Sequence, residues 1–316
     1  MTISLKAKYV DEDDRVMMKS NLAKKLKNEY IGRGYAIICG ILIIVLTLVI
    51  IIFVASKGMA TFTQDKYSFS KFLFSTNWSP DASPDKGGPQ FGILIFVIGS
   101  IFVSVGAVLI SAPLSIALAI FMNLISPKLG EKVIQPAMEL FVGIPSVVYG
   151  FVGITILVPA LKKGFGGLGF SLLAGIIVLS IMILPTITSI ASDAIKTIPR
   201  DYVEASYGLG ATRWQTISKV IIPASKSGIL TGVVLGIARA FGEALAVQMV
   251  IGNSIKIPGN LLDTTSTMTS ILTMDMANTT FGSEWNNALW SMAFILLIIS
   301  FIFIIIVRRL GKRGEA

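Results

Sequence analysis

Arg239 and Glu243 stand four residues apart in "GIARAFGEALAV", residues 236–247, inside a run from Ile229 to Ile251 that is otherwise apolar or small. The spacing places both on one face of a helix. A guanidinium can touch two oxygens of an oxyanion at once, where an ammonium offers a point charge. A carboxylate one turn away would temper that cation and give it a partner when no anion is present. The plain alternative is mutual neutralisation that only locks the bundle. Leaving either charge unpaired in a bilayer costs about 3 kcal/mol or more. An apolar pair of similar volume would stabilise as well or better. The pair is therefore expected to lie on a substrate pathway for an anion.

Enzyme chemistry has little to work with. The chain of 316 residues has no histidine and one cysteine, Cys39. An intrachain disulfide and a His-based metal or catalytic site are excluded. No GxxxxGK[ST] phosphate loop occurs, nor any Ser–Lys, metal-ligand or carboxylate-dyad constellation. No catalytic residue, metal site or cofactor is expected. If ATP drives this protein, the ATPase is another chain.

What must position the pair is a membrane bundle. The chain is 53% hydrophobic and 14% charged, against about 25% charged in a soluble domain, and its mean hydropathy is +0.78. A spanning helix needs roughly 20 apolar residues. Six stretches qualify, near 36–55, 91–122, 134–160, 170–192, 228–253 and 287–307, which predicts an all-α polytopic fold. With the N-terminus inside, 19 of the 27 Lys and Arg fall in cytoplasmic segments and seven in outer ones. This bias predicts that both termini are cytoplasmic. Lys162 and Lys163 are a local exception. The net charge of +9 is thus explained by topology and not by nucleic acid.

Residues 1–35 read as a solvated cytoplasmic arm, since like-charge blocks rarely fold alone. The span at 36–55 is too long for a signal-peptide core and is read as retained. Residues 56–90 form an outer segment whose "SPDASPDKGGPQ" reads as turns and a flexible link. A second outer loop, 254–286, can hold a short re-entrant or surface helix. Residues 308–316 form a cytoplasmic tail. Pro113 and Pro145 fall inside spans two and three. Proline there gives a packing kink or a hinge beside a pathway. Gly228, Gly232, Gly236, Ala240 and Ala244 recur every four residues, a stripe that lets another helix approach closely, either within the chain or across a pore. Glu139 is a weaker pathway candidate near the membrane boundary, and Asp193 is expected to cap the end of span four.

The most informative segment joins spans four and five: "IPRDYVEASYGLGATRWQTISKVIIPASKSG", Ile198 to Gly228. Pro199 suits a first helical position. Asp201 and Glu204 follow in the first turns, where the helix dipole favours acids. Gly208 and Gly210 break that helix. Thr212 and Gln215 have the capping-box spacing for a second one, which Pro223 is expected to end. Two short helices would form a cytoplasmic knob over 198–223, with Tyr202, Tyr207 and Trp214 on its surface. Exposed aromatics suit a partner's groove.

This segment resembles the EAA motif of ABC importer permeases: EAA, three residues, Gly, nine residues, then I-x-L-P. Glu204, Ala205 and Ser206 stand for EAA, Gly210 follows at the right spacing, and Val220, Ile221, Ile222 and Pro223 complete it. Ser206, Val220 and Ile222 depart by small steps. The flanks "ELFVGIPSVVYGFVG" and "ARAFGEALAVQMVIGN" are similar to the PstC-type permeases of phosphate importers. The likeness covers roughly 91–307.

The resemblance implies a type I importer (MetI-like) permease domain over 91–307. It implies a PstA-type sister permease, two copies of a PstB-type ATPase and a PstS-type external phosphate-binding protein as partners. Glu204, Ala205 and Gly210, with Tyr202 and Trp214, would belong to the segment that docks the ATPase. A sulfate or molybdate permease is an alternative, since coupling segments look alike. A secondary transporter with Glu243 carrying a proton is disfavoured by the EAA-like segment and by the lack of visible internal repeats. A membrane scaffold or sensor remains a further class.

Overall fold

The computed structural model describes residues 31–312 except 84 and 86. Residues 1–30 and 313–316, most of the predicted arm and part of the predicted tail, lie outside them. The chain divides into two units, 1–56 and 57–316. Among the described residues, six helices are long and apolar enough to cross a membrane. They are α1 (Ile31–Thr63), α3 (Leu94–Ile125), α5 (Ser146–Phe165), α6 (Leu172–Lys196), α8 (Arg213–Gly242) and, within α11 (Glu284–Lys312), Glu284–Arg309.

The second unit is built on α6. Ser171 caps its first turn by accepting from the Ala174 N–H. α6 packs on α3 and α8, and Leu179, Met182, Ile183 and Ile187 are fully or almost fully buried there. Lipid gives apolar helices no reason to associate, so close approach and interhelical hydroxyls must hold the bundle. The structure shows both. A Cβ on Gly106 would meet the Ile176 side chain at 2.7 Å, and one on Gly228 would meet Ala194 at 2.4 Å. The Ser180 hydroxyl donates to the Ala107 carbonyl at 3.2 Å and that of Ser115 to the Leu184 carbonyl at 3.0 Å. The small-residue stripe of α8 is thus accounted for within the chain: Gly228, Gly232 and Gly236 lie against Ala194, Ile190 and Ile187 of α6.

Two predicted spans are interrupted. The stretch expected over 134–160, with Pro145 as a kink or hinge, is α4 (Gln135–Gly143), a break at that proline, then α5. Pro145 disfavours helical backbone at the residue before it, and Ile144 is extended, with φ −70° and ψ 127°. The Tyr149 hydroxyl donates to the Phe141 carbonyl at 2.7 Å and satisfies one group freed by the break. The stretch expected over 228–253 also divides, into α8 and α9 (Leu245–Ile251), with Glu243 extended between them. Pro113, by contrast, lies inside α3 without interrupting it.

Residues 57–93 are more than turns and a link. Helix α2 (Phe69–Phe74) and a two-stranded antiparallel ribbon, β1 (Trp78–Ser79) with β2 (Gln90–Phe91), enclose an aromatic cluster. Phe62 meets Phe72 edge-on at 5.4 Å, and Trp78 meets Phe96 at 5.4 Å. Such pairs add about 0.5–1.5 kcal/mol each beyond their buried area. The 254–286 loop folds back onto this cluster through helix α10 (Met268–Asp275), whose Met268 and Ile271 are buried with Leu289 and Met292 of α11. Burial raises the carboxyl of Asp275 above the ordinary aspartate range.

The charge count predicts that this clustered face is external. Cysteines at Asp81 and Thr280, both exposed, are expected to react with an impermeant thiol reagent added to intact cells. One at Gly311 is expected to stay unlabelled. Labelling of Gly311 from outside would overturn the topology.

Candidate functional site

The knob has one short helix and one long one. α7 (Arg200–Gly208) begins after Pro199, which is the capping residue rather than the first helical one. Pro223 does not end the second helix, contrary to expectation. It falls at the start of a new α-helical stretch, directly after a π turn, Ile217–Ile221, and α8 continues to Gly242. Proline lacks an N–H and crowds the preceding turn; the wider π turn accommodates it. Thr212 and Gln215 form the expected capping box. Gly210 has φ +80°, a left-handed backbone that favours glycine, and a Cβ there would meet nothing within 4 Å. Its requirement is conformational, not one of internal crowding.

Two contacts that sequence reading missed brace this knob. The buried Ser206 and Thr216 hydroxyls are 3.0 Å apart and join α7 to α8. The Arg213 guanidinium donates to the carbonyls of Leu124 and Ile125, the latter at 3.3 Å, at the end of α3. A cation there meets the negative end of a helix dipole and carbonyls that have no partner within the helix. The outward surface carries Tyr202, Tyr207 and Trp214, 47–66% exposed, and Leu209, 90% exposed. Tyr202, Ala205, Leu209 and Gly210 line a groove of about 620 Å³, and Glu204 is exposed beside it.

Arg239 and Glu243 are not brought together as the sequence predicted. Arg239 lies in the last turn of α8, and Glu243 follows the helix end, so they do not share a helical face. Among the described residues Arg239 forms no ion pair; its Nη1 donates to the Thr186 hydroxyl at 2.9 Å. Glu243 turns to the next helix. Its Oε1 accepts the Ala246 N–H at 3.0 Å, and its carbonyl accepts the Thr269 hydroxyl at 2.8 Å. The carboxylate thus caps the first turn of α9. The assumption of an unbroken helix caused the miss. Thr186 carried a signal, as a hydroxyl after Pro185 in an apolar span.

Glu139 is exposed on α4. Gln135 donates to its Oε1 at 3.2 Å and accepts from Lys196 Nζ at 3.2 Å. Asp193, expected to cap α6, lies inside that helix; Thr197 is the capping residue. Pro145 sits at the α4–α5 break, and Pro113 lies inside α3 with its side chain exposed.

The described residues form a helical membrane bundle with a protruding aromatic knob and an arginine within an apolar span, an arrangement that suits a transport permease. The chain belongs to the binding-protein-dependent transport system inner membrane component family, whose model matches residues 115–314. It is 52% identical over 91% of its length, and 92% of the relative's, to the probable ABC transporter permease protein YqgH of Bacillus subtilis. It is 34% identical to the phosphate transport system permease protein PstC of Mesorhizobium japonicum, covering 79% of this chain and 80% of that one. Its fold matches a subunit of a bacterial alginate ABC transporter complex with a TM-score of 0.62 at 16% identity, covering 90% of this chain and 96% of that one. It is an ABC importer permease of type I architecture, a multi-pass protein of the cytoplasmic membrane. Such permeases work with ATPase and binding-protein partners.

Proposed function

We propose that this chain is the PstC-type permease of a phosphate importer. It forms the pathway with a PstA-type sister, docks PstB-type ATPases at the knob around Glu204, Ala205 and Gly210, and receives phosphate from a PstS-type binding protein at the opposite face. Translocation proceeds by alternating access.

The observation that carries this reading is the state of Arg239. Its guanidinium sits in an apolar span, engages one neutral hydroxyl and leaves its remaining N–H groups and its charge open to an anion. A doubly charged oxyanion with several acceptor oxygens is the natural complement. Similarity to PstC proteins supports phosphate within that class. Glu243 acts on the same pathway by shaping the break that ends α8 beside Arg239.

Sulfate and molybdate offer the same oxygens, and they form the second reading. The deciding experiment is uptake by vesicles of the assembled complex with its binding protein. Labelled phosphate is expected to accumulate only with ATP, undiminished by excess sulfate. Accumulation of sulfate or molybdate without phosphate would sink the proposal and leave the permease class intact.

A further inference from the structure

α6 changes character along one face. Val178, Met182, Thr186, Ser189, Asp193 and Lys196 succeed one another by steps of four, four, three, four and three, which keeps them in line on a helix. Val178 and Met182 are 4% and 1% exposed, inside the main core. Thr186 is half-buried, and Ser189, Asp193 and Lys196 are exposed. The face turns from apolar and sealed to polar and open at Thr186, the residue that holds Arg239.

A carboxylate and an ammonium on a span cannot face hydrocarbon cheaply. Here they face a cavity. About 230 Å³ of space lies between α4 and α6, bordered by Ser189, Asp193 and Lys196 on one side and by Gln135 and Glu139 on the other. A second space of about 440 Å³ shares Gln135, Glu139 and Lys196 and reaches Glu131. The Thr188 hydroxyl, fully buried and without a partner among the described residues, borders the first. Lys196 stands at the end of α6, followed at once by Pro199 and the knob.

We infer that the Thr186–Ser189–Asp193–Lys196 face lines a water-filled release vestibule for the oxyanion, closed by Met182 above Arg239 and open on the knob side. The inference rests on the reading that Arg239 handles an anion. An anion leaving Arg239 meets hydroxyls, which hydrogen-bond it weakly. It then meets the carboxylates of Asp193, Glu139 and Glu131, which deny it a resting place and oppose its return. Conduction requires this succession, a site that holds followed by one that does not. Lys196, tied to Gln135, moderates the repulsion at the mouth.

The test is aqueous access. Ser189→Cys is placed in a Cys39→Ser background, in the whole complex, and treated with a sulfonate-bearing methanethiosulfonate, which reacts only in water. From the ATPase side of inside-out vesicles, modification is expected to run at least about tenfold faster than at Leu109→Cys, an exposed position on the apolar face of α3. It is expected to block uptake of whichever oxyanion the wild-type complex carries, without dissociating the subunits. Labelling no faster than at Leu109→Cys, labelling only from the opposite face, or full uptake after labelling would overturn the vestibule. Water access does not depend on the cargo. Rapid labelling in a wild-type complex that carries no phosphate would therefore discard the phosphate reading and keep the vestibule.

Discussion

Replacing Arg239 by alanine is expected to reduce uptake to background while the complex still assembles and hydrolyses ATP. The side chain makes one described hydrogen bond, to Thr186, and no ion pair. Its removal leaves no buried carboxylate without a partner, so the fold has little to lose. The proposed pathway loses the cation that stands within the apolar part of α8. A charge-assisted hydrogen bond is worth about 1.5–3 kcal/mol, and two made together by the planar fork are equivalent to roughly a hundredfold or more in rate at 1.4 kcal/mol per decade. Arg239→Lys is expected to retain a fraction, since it keeps the charge and loses the fork. The paired exchange Arg239→Glu with Glu243→Arg is expected to stay inactive. Position 243 lies beyond the helix end and its carboxylate caps α9, so an arginine there neither reaches Thr186 nor serves as a cap. The measurement is labelled uptake alongside ATP hydrolysis and co-purification. Normal transport by the exchanged protein would mean that the two residues are a structural clamp after all.

Gly210→Val is expected to leave the protein in the membrane and sever it from its ATPase. The backbone at Gly210 has φ +80°, a region that costs an L-residue on the order of 1–2 kcal/mol and a β-branched one more. The surrounding space is open, so the penalty falls on the path of the chain between α7 and α8. Relief of that strain would re-aim Tyr202 and Leu209, which line the groove, and the exposed Trp214. ATP-driven uptake is expected to fall by about tenfold or more, with reduced co-purification of the ATPase. Gly210→Asn, which tolerates left-handed backbone better, is expected to fall less. Wild-type uptake by the valine protein would remove Gly210 from the coupling mechanism.

The parts of this molecule governed by composition and local chemistry were legible in the sequence. Six apolar stretches marked the spans, and the Thr212–Gln215 capping box and the turn at Gly210 followed from side-chain and backbone rules that act over a few residues. The break at Glu243 was not legible, and Pro145 marked a kink or hinge without deciding between a bend and a full break. Pro145 restricts Ile144, yet a proline in a span is as often tolerated, as Pro113 is in α3; neighbouring helices decide, and they are remote in sequence. The end of α8 at Gly242 depends on Glu243 finding Ala246 and Thr269 finding the Glu243 carbonyl, the second of these a contact across 26 residues. Thr186 became a partner of Arg239 through the packing of α6 on α8, which the glycine stripe hinted at without choosing between an internal and an external neighbour. The aromatic order of residues 57–93 was hidden for a related reason: its rings lie on separate turns and meet only when α10 and α11 close over them.

Because Pro223 does not interrupt α8, the helix that leaves the knob is the helix that carries Arg239. From Arg213 to Arg239 it spans about 39 Å at 1.5 Å per residue. Under the proposed function it would act as a lever, with its handle against the ATPase and its working end at the anion. A swing of about 5° at the handle would displace the tip by roughly 3 Å over that length, enough to make or break the contact with Thr186. No relay of side chains has to transmit the stroke. The arrangement also removes a freedom: the π turn at Ile217–Ile221 sets the angle of both ends at once, so a change there that retunes docking retunes the grip on the cargo with it.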